Sequence, residues 1–268
     1  MGEQFQTKKP IARIGSSRDK APKHRALSDF LLSRIEAGDW LPGEQIPSEE
    51  QLAVESGMSL GTVQRALRNL AEIGVVERQH GRGTFVRGGR APNRHLRHFR
   101  FLAEDGRTLL PIFVRLHDIS LIDEEGPWAA FLGCCDDGYV RIRREVSVAS
   151  EFSMYSEVCL PADRFGALMS IDRNEFEGLS IRDAIAERFN APTLSAEQTM
   201  LCQMLPPRAT KVLNLPLGTC GIVWIIGGLS YRDTPITWQR VFVPPSDRAL
   251  QISAHQFRSL SSVSGETG

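Results

Sequence analysis

In the first third of the chain, apolar residues recur at helical spacing in successive blocks. Leu27, Phe30, Leu31 and Ile35 predict a helix over roughly 23–37, after which "GDWLPG" (38–43) breaks the pattern. The next block follows Ser48. With Gln51 three residues on, Ser48 has the spacing of a capping box, and Leu52, Ala53 and Val54 supply an apolar side that ends near Ser56-Gly57. The last block is the most regular. Ser59 is placed to cap it, and Val63, Ala66, Leu67, Leu70 and Ile73 form an apolar back. Its front carries Gly61, Gln64, Arg65 and Arg68. The last two blocks lie close together, and Gly57 is free to take positive φ between them, so the pair predicts a helix-turn-helix. Directly afterwards, Val75-Val76 and Thr84-Phe85-Val86 are strand formers on either side of His80-Gly81-Arg82-Gly83. That is a glycine-tipped hairpin with Arg78, Arg82 and Arg87 along it.

Further on, the pattern shifts to alternation with short helical pieces. "RGGRAPNRHLRHFRF" (87–101) reads as a basic linker entering a strand near Phe99–Leu102. Strands are expected in 109–122, 139–150, 151–161 and 193–205, with a terminal hairpin over 221–244 turning at Arg232-Asp233-Thr234-Pro235. Short helices are expected in 126–134, in 179–190 with Ser180 as cap and Asn190 as stop, and in 207–219. The fold class is therefore α+β: an N-terminal winged helix-turn-helix domain, then a mixed, largely antiparallel α+β domain. The expected boundaries are a disordered leader over 1–22, the winged domain over 23–88, a linker over 89–98, the second domain over 99–252 and a flexible tail over 253–268.

The net charge is zero but unevenly spread. Residues 1–97 hold 16 Lys+Arg against 11 Asp+Glu, and the remainder holds 16 against 21. A basic first third on an acidic remainder points to a polyanion partner for the first third only. The five cysteines (Cys134, Cys135, Cys159, Cys202, Cys220) have no framework spacing and read as reduced thiols. No apolar run is long enough for a membrane helix and no apolar signal core opens the chain. The expectation is a cytoplasmic protein with no membrane partner. His98, His117 and His255 lack ligand-like spacing, so no metal and no cofactor are expected. The Gly-x-Gly of the hairpin lacks the third glycine and the strand–helix context of a nucleotide loop.

The order Leu41-Pro42-Gly43, Pro47-Ser48-Glu49, Leu52-Ala53, Ser59, Thr62-Val63, Ala66-Leu67, Leu70, Gly74, Gly81 and Gly83-Thr84-Phe85-Val86 closely resembles the GntR family of bacterial transcription regulators, over about residues 25–87. The resemblance implies that the third helix enters the major groove of a double-stranded DNA operator and the hairpin follows the adjacent backbone or minor groove. The DNA-binding residues expected on that basis are Ser59, Gly61, Thr62, Gln64, Arg65, Arg68, Arg78, His80, Gly81 and Arg82. Three positions depart from the family pattern: Glu50, Leu60 and Gln64 stand where the family usually has arginine. Arginine suits guanine and glutamine suits adenine. An altered operator is expected, richer in A·T where Gln64 faces it.

The later region is similar to the UTRA effector-binding domain of the HutC-type branch, which is chorismate lyase-like in fold. The features that carry the likeness are "YVRIRR" (139–144), the strand closing on Leu160-Pro161, the helix with Ala184 and Phe189, "LNLPLGT" (213–219), and the hairpin with Pro235, Arg240 and Asp247-Arg248. The likeness implies a small-molecule effector and a homodimer. Alternation places Arg144 in an apolar stripe with Val140, Ile142, Val146 and Val148. Such an arginine either pairs with a buried carboxylate or faces an anionic ligand, with Arg143 as substitute if the register slips. Ser156, Glu157, Tyr231, Trp238 and Arg240 complete the effector-binding candidates. Ser156 stands roughly where sugar-phosphate-binding relatives place a glutamate, which argues against copying their effector. No Ser/His/Asp order, metal constellation or phosphate loop supports catalysis. The chain reads as a ligand-responsive repressor. The alternative is a metabolite-binding or catalytic α+β protein whose first domain has lost specific DNA reading.

Overall fold

The computed structural model describes residues 22–87, 99–172 and 180–252. The leader (apart from Pro22), linker and tail expected from the sequence lie outside the described residues. The chain divides into two compact units, one built from the elements before Arg90 and including Ala186–Leu194, the other holding the large sheet.

In the first unit, α1 (Lys23–Glu36), α2 (Glu49–Ser56) and α3 (Leu60–Glu72) precede a hairpin of β1 (Val76–Gln79) and β2 (Gly83–Val86). The capping box at α2 is formed: Ser48 Oγ accepts from Gln51 N–H, and the Gln51 side chain accepts from Ser48 N–H. Gly57 closes α2 at φ 67°, in the left-handed region where a Cβ is costly. Ser59 caps α3 by accepting from Thr62 N–H. The apolar backs meet as the spacing requires: Leu27, Leu31, Ile35, Leu52, Val63, Ala66, Leu67 and Leu70 are all fully buried. Four expected core residues are not: Phe30 and Ala53 are half-buried and two more are exposed. Val54 is 83% exposed, because two residues past Leu52 is the far side of a helix, and Ile73 is 56% exposed, because it caps α3 where the helical repeat stops. One pairing was absent from the sequence reading. Gly43–Ile46 runs beside β2, with Gly43 N–H donating to Val86 O, Val86 N–H to Glu44 O, and Ile46 N–H to Thr84 O.

The second unit is a six-stranded antiparallel sheet of order β3-β4-β5-β8-β7-β6. Its elements are β3 (Ile112–Ile122), α4 (Ala129–Leu132), β4 (Tyr139–Val148), β5 (Phe152–Pro161), α5 (Ala162–Phe165), β6 (Ser195–Met204), α7 (Pro207–Val212), β7 (Cys220–Leu229) and β8 (Pro235–Val243); α6 (Ile181–Phe189), between α5 and β6 in the chain, is divided between the two units after Ile185. The strand expected at Phe99–Leu102 is replaced by isolated bridges, Phe101 to Leu250 and Leu102 to Leu109. The segment packs by side chains instead: Phe99 and Phe101 join Val146, Val148, Met154, Trp224, Ile226, Val241 and Val243 in a core on one face of the sheet. The opposite face carries two other apolar clusters. One gathers Trp128, Tyr139, Cys159 and Trp238 under α4; the other gathers Tyr155, Val223 and Phe242 under Ala209 of α7. No helix among the described residues is long and apolar enough to cross a membrane.

Ser48→Ala removes the Oγ arm of the capping box and leaves only the backbone arm to Gln51. A loss of about 1 kcal/mol in unfolding free energy is expected by urea denaturation, and an unchanged midpoint would show that α2 does not depend on its cap.

Candidate nucleic-acid interface and effector site

The front of α3 is built as the spacing suggests. Ser59, Gly61, Arg65 and Arg68 are exposed, Thr62 is half-buried, and Ser59 Oγ lies 2.9 Å from Thr62 Oγ1. At the hairpin tip His80, Gly81 and Arg82 are exposed. Gly83 sits at φ 112°, and a Cβ there would come within 2.4 Å of Gln45 Nε2. Gln45 Nε2 donates to Arg82 O at 3.0 Å, which ties the tip to the chain before α2.

Gln64 differs from its neighbours in being half-buried and already engaged. Its Nε2 donates to Glu49 Oε2 at 2.8 Å, and Arg78 Nη2 donates to Glu49 Oε1 at 2.9 Å. Glu49, the acid of Pro47-Ser48-Glu49, thus joins helix front and hairpin. In the sequence, nothing beyond its place in Pro47-Ser48-Glu49 marks it. An ionised carboxylate only accepts, so it fixes which end of the Gln64 amide faces it and leaves Oε1 turned away. Glu50 is fully exposed at the start of α2. Its own backbone N–H and then Ser48 lower its carboxyl below the usual range, so it stays negative.

In the sheet, the candidate effector residues separate into two groups. Arg144 pairs in register with Ser156, and Ser156 with Val241. Residues opposite one another in antiparallel strands share a face, so these three lie on the face of the Phe99–Phe101 core. Arg143 pairs with Glu157, and Glu157 with Arg240, on the other face, beside Trp238.

Arg144 is 4% exposed among Ile142 and Val146, each 0% exposed. Its Nε and Nη1 have no acceptor. Burial alone lowers its guanidinium to about 10, so it remains charged at neutral pH. Beside it, Ser156 is fully buried and its Oγ accepts from Gln239 Nε2 at 2.9 Å. A guanidinium buried without a counter-charge is costly. Arg248 makes the contrast. It sits in a separate groove of about 620 Å³ with both Glu151 oxygens at 2.6 and 3.0 Å.

On the other face, Glu157 is 7% exposed and collects Arg240 Nη2 at 2.9 Å, Arg143 Nε at 3.5 Å and Arg208 Nη1 at 3.6 Å. Arg240 lies over the rings of Trp238 and Phe242 at 5.6 and 5.1 Å. Tyr231 is buried in the turn between β7 and β8. Arg141, Arg208 and Gln239 were missed from sequence. Arg141 follows from the same alternation as Arg143, but only strand pairing brings Gln239 near and only the packing of α7 brings Arg208. Among the described residues no group of three or more His, Cys, Asp or Glu could hold a metal ion.

Comparison with known proteins gives two family matches. Residues 24–86 match bacterial regulatory proteins of the gntR family, and residues 114–247 match the UTRA domain. The HTH-type transcriptional repressor NagR of Bacillus subtilis is 30% identical over 201 residues, 74% of this chain and 80% of its own length. The histidine utilization repressor of Pseudomonas putida is 37% identical over 76 residues, 28% of this chain and 30% of its own length. A structure described as the ligand-binding domain of a GntR-family transcriptional regulator from Bordetella bronchiseptica superposes with a TM-score of 0.51 at 14% identity, covering 58% of this chain and 96% of that one.

If Arg144 is an uncompensated buried cation, Arg144→Met stabilises the ligand-free protein by about 1–4 kcal/mol. Urea unfolding measures this, and a destabilised Met variant would reveal a counter-charge.

Proposed function

The chain belongs to the GntR family of bacterial regulatory proteins and carries a UTRA domain, and from that premise we propose that it is a homodimeric repressor whose DNA grip is set by a small anionic metabolite. Each subunit places α3 in the major groove of one half of a pseudo-palindromic operator, with the hairpin on the neighbouring backbone. Arg65, Arg68 and Arg82 position the head on phosphates, and the Ser59 end of α3 offers free amides to the same backbone. Gln64 reads a base. Its free Oε1 and remaining N–H suit the N6–H and N7 of adenine.

One observation carries the effector half of this reading: Arg144 is buried, charged and without acceptors beside the Ser156 hydroxyl. A carboxylate or phosphate group there would relieve the cost of burial through a two-pronged, charge-assisted pair. With Ser156 in place of a carboxylate, the site is free of a competing anion. The ligand switches the dimer only to the extent that it binds one arrangement of the heads more tightly than the other. NagR and the histidine utilization repressors are named as repressors, which supports repression as the direction.

A second reading, a head without sequence discrimination, draws support from Glu49, which holds both Gln64 and Arg78. Binding to the chain's own promoter region separates the two. The repressor reading requires a steep salt dependence together with discrimination among sequences; no mobility shift at low salt removes it.

Gln64→Arg is expected to move preference toward guanine at one operator position by about 1–3 kcal/mol, read by competition binding. Glu49→Gln releases Arg78 and the Gln64 amide. Non-specific affinity should rise with a salt slope steeper by about one, while A·T discrimination falls. Loss of both together would assign Glu49 a purely structural role. Arg144→Met is expected to bind operator normally and to ignore anionic metabolites that release the parent protein.

A further inference from the structure

The face of the sheet opposite Arg144 holds more positive charge than its carboxylates balance. Arg143 of β4, Arg240 of β8 and Arg208 of α7 gather around a single buried acid, Glu157, with Arg141 of β4 close enough to act on Arg143. The other carboxylates in reach are peripheral. Glu124, 69% exposed, meets Arg141 at 3.3 Å, and Asp118, 41% exposed, meets Arg143 at 3.4 Å. Nε of Arg141 and of Arg240 are buried and hydrogen-bonded to nothing, and Nε of Arg143, also buried without a hydrogen bond, stands 3.5 Å from Glu157 Oε1.

The remaining groups at this spot cannot supply the missing charge. Burial, then Glu157, pushes the Cys159 thiol up to about 12, and burial raises the Tyr155 phenol, so both stay neutral. The arginines repel one another. Burial first, then Arg141 and Arg208, lowers Arg143 below its ordinary value. The cluster lies on a polar floor between two apolar ridges, Trp128 and Trp238 under α4 on one side, Tyr155 and Phe242 under α7 on the other. The stacking of Arg240 on Trp238 and Phe242 fixes its plane and leaves its edge free to donate.

We propose that this face is a second anion site, distinct from the Arg144 site, built to take a phosphate group through the Nε–H donors of Arg141, Arg143 and Arg240, which no hydrogen bond occupies. Glu157 is its organiser. It holds Arg240 and Arg143 apart, and a bound anion offsets the excess positive charge. Phosphate is preferred over a monocarboxylate because it has more acceptor oxygens for the guanidinium groups, three of which share one buried carboxylate. Two ligands on opposite faces of one sheet could then inform the same regulator, the second tuning the response to the first.

The site does not depend on the assignment of Arg144, and the test keeps the two apart. In full-length protein carrying Arg144→Met, inorganic phosphate is titrated against acetate at constant ionic strength, by calorimetry and by thermal melting. Phosphate should bind and raise the melting temperature, and acetate should bind more weakly. Adding Arg143→Gln or Arg240→Gln should weaken phosphate roughly ten- to hundred-fold. Arg208→Gln, on a side chain 48% exposed, should weaken it without changing the melting temperature in chloride. No phosphate binding in the Arg144→Met protein overturns the site. So does a dimer that dissociates in the Arg143→Gln and Arg240→Gln proteins with no phosphate effect, which would make this face a contact between subunits.

Discussion

The pleat of the β4–β5–β8 strands is the constraint on which the rest of the second unit depends. Consecutive side chains in a strand point to opposite faces. Arg143 and Arg144 are therefore neighbours in sequence and strangers in space. The same holds for Ser156 and Glu157, and for Gln239 and Arg240. One register brings Arg144, Ser156 and Gln239 together with apolar neighbours, and the same register brings Arg143, Glu157 and Arg240 together with other arginines. A slip of one residue would exchange the two sets and bury the wrong charges. The apolar residues between them, Ile142, Val146, Val158 and Val241, hold the register by being buried on one side only.

Donors that are buried and without acceptors weaken the empty state, and in the proposed reading that cost is recovered when an anion arrives. Arg144 and the Arg141–Arg143–Arg240 group differ from Arg248, whose carboxylate partners are in place. The distinction is one of satisfied against unsatisfied donors, not of arginine content.

The reading head obeys a different period with the same logic. A 3.6-residue repeat seats Val63, Ala66, Leu67 and Leu70 and leaves Gly61, Arg65 and Arg68 outside. Glu49 adds what periodicity does not contain. It comes from another helix, reaches both α3 and the hairpin, and gives the Gln64 amide a definite orientation. In the proposed repressor reading, glutamine at position 64 changes what the head reads, with an acceptor-only partner setting the amide's direction.

The residues by themselves determined the helix-turn-helix, its caps at Ser48 and Ser59, the glycine-tipped hairpin and the long antiparallel strands, because these follow from local spacing and turn chemistry. Arg144 in an apolar stripe was legible for the same reason. Val54, Ile73 and the Phe99–Leu102 segment were misjudged, since apolar character alone does not tell which side of a short helix, or which end of a segment, meets the core. Only the tertiary structure decided that Glu49 bridges to Gln64 and Arg78, that Gln239 stands over Ser156, and that Arg208 joins Glu157 from α7. Those partners are far apart in the chain, and hydrogen bonds and charges act through distances that pairing and packing create.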